Sequence, residues 1–490
     1  MKKKKSKKNK LVTNIIFNVI ALISTILAIV FCIYLYKLDM LPEKYLTIIF
    51  IALGVFYLIL LGLTLPRHMK LGFKIGACVF FVIFMLLFGY GIKYVDKTIS
   101  FVDKINDELK QKEEYQLKAL SKSKLSKENI DGKKVGIFKN ANYDNIVKYI
   151  GKKNYKLEIV EYSDPIKLFE DLESGEIDLI IGSDTVYELL QTELDYMKLE
   201  LSDVDTLEVP VDEKIEEEVK VVDVTNTPFN IFVAGGDKEG SIDKVMNTDV
   251  NMVVTVDPVN HKILLTSIPR DYYVNLPGKG EDVYDKLTHA GYYGVGESVR
   301  AVEKLLDIDI NYYAKVNFST IKKIVDAIGG IDVKSDFAFT EDSTWPPKHY
   351  KYKKGLNHLN GDQALAFARE RLVFSDGDVQ RVKNQQKVIT AIIDKITSSK
   401  TMISNYTNLL DAISSSFATS LDTKSINRLV KMQLNDMRGW DIESQNLVGH
   451  SATSRKCYSI PNMNLYVMKQ DENSVNTASA KIKAFMKTNS

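Results

Sequence analysis

The chain has 490 residues, too many for one ordinary domain, so two or three folded units are expected. Sixty-five Lys and Arg against 63 Asp and Glu leave a formal charge of +2, which excludes a global bias toward nucleic acid. The three cysteines, Cys32, Cys78 and Cys457, show no metal or redox spacing, and two of them fall in apolar segments, so a disulfide framework is not expected.

The first ten residues carry seven lysines and no acid. Three apolar spans follow, Leu11–Tyr36, Tyr45–Leu65 and Ile75–Ile92, each reaching the ~17–25 residues that a bilayer helix requires. The first is longer than the apolar core of a signal peptide, and no clear small-residue cleavage site follows it. The connection bearing Arg67, His68, Lys70 and Lys74 is basic, whereas Lys37–Lys44 offsets two lysines with Asp39 and Glu43. Positive-inside bias places the N-terminus in the cytoplasm and everything after Ile92 outside, in a multi-pass cell-membrane protein.

Residues 93–130 are polar and lysine-rich and read as a stalk helix with a flexible Ser121-Lys-Ser-Lys joint. Over 131–198, strands Val135–Phe138, Lys156–Glu161 and Glu176–Gly182 alternate with helices Asn142–Ile150, Asp164–Glu173 and Asp184–Glu193. That alternation predicts a small α/β accessory domain with a parallel sheet. Residues 199–224, containing Pro210 and Glu216-Glu-Glu, read as an acidic linker. A second α/β domain is expected over 225–400, and 401–490 as a C-terminal extension packed on it, with a helix at Ser425–Gln433 and a strand at Leu465–Met468.

The chemistry concentrates in the second domain. Strand Asn230–Ala234 runs into Gly235-Gly-Asp237, where glycines permit close backbone approach to a ligand. Strands Val250–Asp257 and Lys262–Ile268 form a hairpin across Pro258-Val-Asn-His. Constant-sum pairing sets Asp257 opposite Lys262 and therefore Asp249 opposite Arg270 at the open end. Asp237 leaves its own strand toward the same edge. Two carboxylates beside arginines read either as plain charge pairing or as a Mg²⁺ site completed by substrate phosphate. Lys286, in Asp285-Lys-Leu-Thr-His-Ala, adds a point charge; His289 stands alone and reads as structural. Trp345 falls on a loop, where its ring either packs or stacks on sugar.

A second cluster lies between Asn360 and Gln386. A helix capped by Asn360 is expected to end near Ala368, leaving Arg369 and Arg371 on one side of an extended segment. Asp378 is the expected cap of the next helix, whose first turns carry Arg381 and Gln385 on one face. Three guanidiniums and an amide then meet a helix N-terminus, a setting that favours phosphate. The alternative is a solvated basic face with ion pairs to Glu370, Asp376 and Asp378.

Together, Asn230–Asp237, Thr248-Asp249, Ser267-Ile-Pro-Arg-Asp271, Asp285–Ala290, Phe318–Val333 and Asn360–Gln386 resemble the LytR-CpsA-Psr family, in family order, over about Thr225–Lys400. The three spans and accessory domain look like its capsule-associated branch. The resemblance implies a mixed sheet between helices with a hydrophobic tunnel for a polyprenyl chain. It also implies a Gram-positive enzyme moving a glycopolymer, capsular or teichoic-acid-like, from undecaprenyl pyrophosphate to peptidoglycan, alongside capsule or cell-wall assembly proteins. In those terms Asp237 and Asp249 correspond to Mg²⁺-associated acids. Arg270, Arg369, Arg371, Arg381 and Gln385 correspond to the pyrophosphate-binding set, and Lys286 holds the characteristic lysine position. Asn247 stands where family members often carry Arg, which puts one phosphate contact in doubt. Asp271 is a candidate base by motif position, or it orients Arg270. Phosphotransfer ranks ahead of non-catalytic lipid-glycan binding or hydrolysis. A transcriptional attenuator ranks last, because a domain beyond the membrane cannot reach DNA and no helix-turn-helix signature is present.

Overall fold

The computed structural model describes residues 2–66, 69–107, 112–139, 143–183, 187, 199–210, 220–236, 247–343, 347–398, 409, 417–461 and 463–487. It divides into two compact units, Met1–Lys104 with Asp422–Arg438, and Ile105–Leu421 with Gly439–Ser490.

The first unit begins with helices α1 (Lys2–Leu38), α2 (Glu43–Thr64) and α3 (Leu71–Asp107). Their segments Val12–Leu38, Glu43–Thr64 and Leu71–Phe101 are each long and apolar enough to cross a membrane. Inside such a bundle a polar side chain must find an internal partner. Ser24 does so for all three helices at once: its Oγ lies 2.7 Å from the Tyr57 hydroxyl and donates to the Phe81 carbonyl at 3.2 Å. Phe31, Phe81, Phe84 and Phe88 pack around Tyr57 and each other.

In the second unit, β1 (Lys112–Leu120), β2 (Lys134–Phe138), β3 (Glu158–Tyr162), β4 (Leu179–Ser183) and β5 (Leu201–Pro210) form one sheet in the order β3-β2-β4-β1-β5. Helices α4 (Tyr143–Lys152) and α5 (Pro165–Ser174) alternate with its parallel strands as the pattern predicts. Two expectations are corrected. The stalk helix gives way after Asp107, because Lys112–Leu120 is a strand held antiparallel between β4 and β5. The acidic linker begins later than expected, since Leu201–Pro210 pairs along β1. Tyr115, Leu117 and Ala119 are fully buried, a period-two stripe hidden inside a lysine-rich stretch. The expected helix Asp184–Glu193 lies outside the described residues except for Tyr187, as does Glu216-Glu-Glu.

The larger sheet contains β6 (Phe229–Gly236), β7 (Val250–Asp257), β8 (Lys262–Ile268), β11 (Tyr312–Asn317), β16 (Phe417–Thr419) and β17 (Asp441–Asn446), in the order β16-β11-β6-β7-β8-β17. It is mixed: β11 runs parallel to β6 and β17 parallel to β8, while the β6, β7 and β8 pairings are antiparallel. Both edge strands come from beyond residue 400, so the C-terminal segment completes the sheet rather than merely lying on it. Between β8 and β11 come β9 (Tyr273–Asn275), β10 (Tyr284–Lys286), the short helix α6 (Leu287–Ala290) and α7 (Val295–Leu306). After β11 follow α8 (Phe318–Ala327), β12 (Ile331–Ser335), β13 (Phe339–Thr340), β14 (Lys351–Tyr352), β15 (Gly355–Leu359), α9 (Gly361–Arg369) and α10 (Asp378–Thr397).

Alternation along the strands sends side chains to two apolar layers. Phe232, Ala234, Val253, Leu264 and Ile268 meet Ala301, Val302 and Leu306 of α7 and Val475, Ala478 and Ile482 of the last helix. Val233, Met252, Val254, Ile263 and Leu265 face Ile389 and Ile393 of α10. The two layers explain the nearly continuous burial of β7 and β8.

Helix α11 (Thr423–Asp436) belongs to the first unit. Asn427 Nδ2 donates to the Leu38 carbonyl at 3.0 Å, Lys431 pairs with Asp39 at 3.1 Å, and Lys44 Nζ donates to the Asn435 carbonyl at 2.8 Å. These contacts place α11 on the same side of the bundle as the α1–α2 connection. The chain ends with β18 (Gly449–Ser454), β19 (Leu465–Gln470) and α12 (Glu472–Phe485). Cys457, Ile460, Leu465 and Val467 share a core with Tyr162, Leu168 and Leu172, which ties the small sheet's domain to this hairpin.

Candidate active site

The β7–β8 hairpin has the expected register: Asp257 pairs with Lys262 and Asn251 with Ile268. Pro269 then ends β8, because proline has no ladder donor to give. One step further on the same pairing line, Arg270 Nη1 donates to Asp249 Oδ1 at 2.5 Å. Burial opposes the Arg270 charge, but Asp249 and Asp271 outweigh it and raise the guanidinium above its ordinary pKa. Asp271 lies between two cations, 3.7 Å from Arg270 Nε and 3.9 Å from Lys286 Nζ.

Lys286 is buried, and its placement comes from the residue before it. Asp285 is fully buried; Oδ1 accepts from the Lys286 N–H at 2.7 Å and Oδ2 from the Ser459 N–H at 2.6 Å. His289 Nδ1 lies 2.8 Å from both Asp285 Oδ1 and Ser459 Oγ, and the imidazole stacks on Tyr292. His289 is thus a buried brace. Two backbone bonds, from Thr288 N–H to the Arg270 carbonyl and from Leu287 N–H to the Tyr272 carbonyl, both 2.8 Å, fasten this segment to the hairpin end.

The second cluster departs from expectation in two details. Helix α9, with its Asn360–Gln363 capping box, runs through Arg369, so Arg369 is helical and Glu370, its C-cap, is extended. The N-cap of α10 is Gly377 at φ 46°, a left-handed position suited to glycine, and Asp378 is the first helical residue. Asp378 pairs with Arg381, the acid near the helix N-terminus and the base one turn on. The Arg381 side chain is only 13% exposed, and its Nε is buried without a partner among the described residues. Burial holds Arg381 below its ordinary pKa; Asp378 and Asp249 oppose this, and the charges of Arg270 and Arg371 add to it. Arg270, Arg371 and Arg381 therefore share one electrostatic neighbourhood with Asp249 and Asp378. Gln385, one turn after Arg381, is buried and has no side-chain hydrogen bond among the described residues.

Glu370 forms no ion pair with its arginine neighbours. It is fully buried, accepting from the N–H groups of Asp342 (2.6 Å), Ser343 (3.2 Å), Leu372 (2.8 Å) and Val373 (3.3 Å) and from Ser343 Oγ (2.6 Å). Burial would raise its pKa, but this cage of donors holds the carboxyl below its ordinary value. Ser343 Oγ in turn accepts from the N–H groups of Arg371 and Leu372. The segment after Arg369 is thus wound around a buried carboxylate. Asp376 pairs with Lys383 at 3.7 Å rather than with an arginine.

Three positioning groups were not singled out from sequence: Glu370 in this role, Asp285 with Ser459, and Gln386. Gln386 Nε2 donates to Ser267 Oγ, the Gln445 carbonyl and Asn446 Oδ1, tying α10 to β8 and β17. A glutamine beside Gln385 on a helix that must pack on a sheet was the available signal; Ser459 left none. Asp237 and Trp345 lie outside the described residues.

The chain is similar to several known proteins. The polyisoprenyl-teichoic acid–peptidoglycan teichoic acid transferase TagU of Bacillus cereus (strain AH820) is 41% identical over 195 residues, which is 40% of this chain and 61% of that protein. TagU of Enterococcus faecalis (strain ATCC 700802 / V583) is 34% identical over 205 residues, 41% of this chain and 64% of that protein. The chain thus spans less than two thirds of the length of these relatives. The crystal structure of Bacillus subtilis TagU is 28% identical with a TM-score of 0.41, covering 54% of this chain and 99% of that one. The LytR_cpsA_psr family model matches residues 196–482, more than half of the chain and every site residue described above, and the protein belongs to that family.

Proposed function

We propose that the protein is a glycopolymer–peptidoglycan phosphotransferase, moving a capsular or teichoic-acid-like polymer from a polyprenyl-pyrophosphate carrier, such as undecaprenyl pyrophosphate, to a sugar hydroxyl of peptidoglycan. One observation carries the reading. The charges of Arg270 and Arg371 both act on Arg381, buried Lys286 shares Asp271 with Arg270, and the Arg381 guanidinium keeps a buried N–H unpaired among the described residues. Neighbouring cations, Arg381 mostly buried and Arg371 exposed, call for a multiply charged anion, and arginine forks match phosphate oxygens. The naming of the TagU relatives as teichoic acid transferases supports the same class.

In this reading Arg270, Arg369, Arg371 and Arg381 bind the non-bridging oxygens and Gln385 adds an amide. The acceptor oxygen forms a bond to the glycan-proximal phosphorus as the bond from that phosphorus to the bridging oxygen breaks. Polyprenyl phosphate leaves with that oxygen. Among the described residues Asp271 makes two long ion contacts, and it is assigned the hydroxyl proton. Mg²⁺ fits the donor set: Asp249 offers a hard carboxylate beside the phosphate clamp, and such ions are held by one or two carboxylates plus substrate oxygens. Asp249 and Asp237 would hold it, and it would neutralise charge on the pyrophosphate. The basic N-terminus and the placement of α11 beside the α1–α2 connection support an N-terminus in the cytoplasm and a site outside.

The test is transfer by the full chain in detergent or nanodiscs, from a lipid-linked donor to peptidoglycan, with and without Mg²⁺. Polymer linked to peptidoglycan through phosphate supports the proposal. Released polymer indicates a hydrolase, and bound but unchanged donor a carrier protein; either result overturns it.

A further inference from the structure

A groove of about 660 Å³ runs along the membrane bundle between α1 and α2. One stripe of α1 forms its first wall, Thr25, Ala28, Ile29, Cys32, Ile33, Tyr36 and Lys37; Phe50, Leu53, Gly54 and Tyr57 of α2 form the second. A chain of small-ligand size fits this volume. From Thr25 to Lys37 the stripe is about 18 Å long at 1.5 Å per residue, more than half of a hydrocarbon core. On the α2 wall a Cβ at Gly54 would meet nothing within 4 Å, so a side chain can be placed there.

Its chemistry is graded along its length. Everything from Thr25 to Ile33 is apolar or satisfied internally, since Thr25 Oγ1 donates back to the Ala21 carbonyl and Tyr57 is held by Ser24. At the other end stand the exposed Tyr36 and Lys37. The neighbouring lysines, Lys44 and Lys431, are engaged between α11 and the α1–α2 connection, whereas Lys37 has no ion pair among the described residues. A greasy slot of this volume, ending in the Lys37 ammonium at interface depth, matches a lipid tail that carries a phosphate.

We propose that this groove holds polyprenyl phosphate, its tail between α1 and α2 and its phosphate at Lys37. The choice of a polyprenyl lipid rests on the transfer reading above, in which that lipid is the leaving group. The Lys37 end lies on the side of the bundle where α11 docks. The groove would therefore keep the released carrier on the side where it forms.

The test uses the full chain in nanodiscs with a photoreactive polyprenyl phosphate. Labelled peptides are expected within Thr25–Lys37 and Phe50–Tyr57. Gly54→Leu adds a side chain at a lining position where a Cβ meets nothing, and should abolish that labelling. Lys37→Gln should weaken competition by unlabelled polyprenyl phosphate about fivefold, the worth of one lysine near a phosphate surface, while leaving competition by polyprenol unchanged. Labelling that survives Gly54→Leu, or polyprenol and phosphatidylglycerol competing as well as polyprenyl phosphate, would mean bulk lipid only and overturn the proposal. The two readings fail separately. Specific labelling without transfer in the same preparation removes the transfer assignment and leaves the groove. Transfer without specific labelling removes the groove alone.

Discussion

Asp249 and Arg270 meet at 2.5 Å although 21 residues separate them, because both continue the pairing line of one hairpin beyond its last ladder bond. Hairpin register is a rigid device for this purpose: a slip of one residue would send the pair to opposite faces. Asp249→Asn should preserve the fold, since the pair lies past the ladder. It should lower transfer by about 10²–10³-fold, the usual cost of losing one preorganised electrostatic partner at a reacting phosphate. Raising Mg²⁺ should recover part of that loss if the carboxylate also holds the ion. Rates measured across a Mg²⁺ series, beside thermal melts, check both statements.

The two arginines of α10 and its preceding loop differ in burial, and their substitutions should differ accordingly. Arg371 is exposed, so Arg371→Ala should abolish transfer while leaving the melting temperature within error. Arg381 is mostly buried, so Arg381→Ala removes packed side-chain volume and should cost stability as well as activity. Arg381→Lys should restore the melt better than the rate, because an ammonium cannot reproduce a fork. Equal rescue of both by lysine would refute the phosphate clamp at this position.

Glu370 acts through the loop it organises. Glu370→Gln replaces an acceptor of five donors with a group that is itself half donor, at about 1–3 kcal/mol of stability for the polar groups left unpaired. The folded carboxyl has a depressed pKa, so its contribution is fully present above the unfolded value and fades as pH falls through the folded one. Melts of the wild type should therefore weaken on acidification below the ordinary glutamate range. Glu370→Gln should flatten that part of the profile. A merely structural glutamate far from the site would change the melt without raising the KM for donor, whereas Glu370→Gln should raise it.

How much of this was legible follows from what sets each feature. The hairpin register and the Asp249–Arg270 pair could be read because index arithmetic fixes them locally. The three spans could be read from hydropathy, and the α9 cap from Asn360 with Gln363. Lys112–Leu120 was misread because its buried Tyr115, Leu117 and Ala119 acquire an inside only when β4 and β5 flank them, a long-range event that overrides a weak local pattern. The C-terminal edge strands were missed for the same reason: Phe417–Thr419 is only three residues long, Asp441–Asn446 is polar, and each is a strand only beside β11 or β8. Glu370 looked like an ion-pair partner because sequence proximity to two arginines says nothing about which way a carboxylate points.

Sidedness of the membrane gives the last prediction. The contacts of α11 with Leu38, Asp39 and Lys44 require residues 423–436 and the α1–α2 connection to share one face of the bilayer, whatever the charge rule says of the N-terminus. Lys424 is exposed, so Lys424→Cys should react with a membrane-impermeant maleimide added outside spheroplasts. The background is low. Cys32 and Cys78 lie within the apolar spans, and burial beside Asp285 pushes the Cys457 thiol up to about 12, where almost no thiolate exists at neutral pH. A cysteine at Lys10, before the first span, should stay unlabelled until the membrane is permeabilised. Labelling of Lys424→Cys only after permeabilisation would reverse the topology and remove peptidoglycan as the acceptor, whereas labelling of both positions from outside would overturn the spanning of α1.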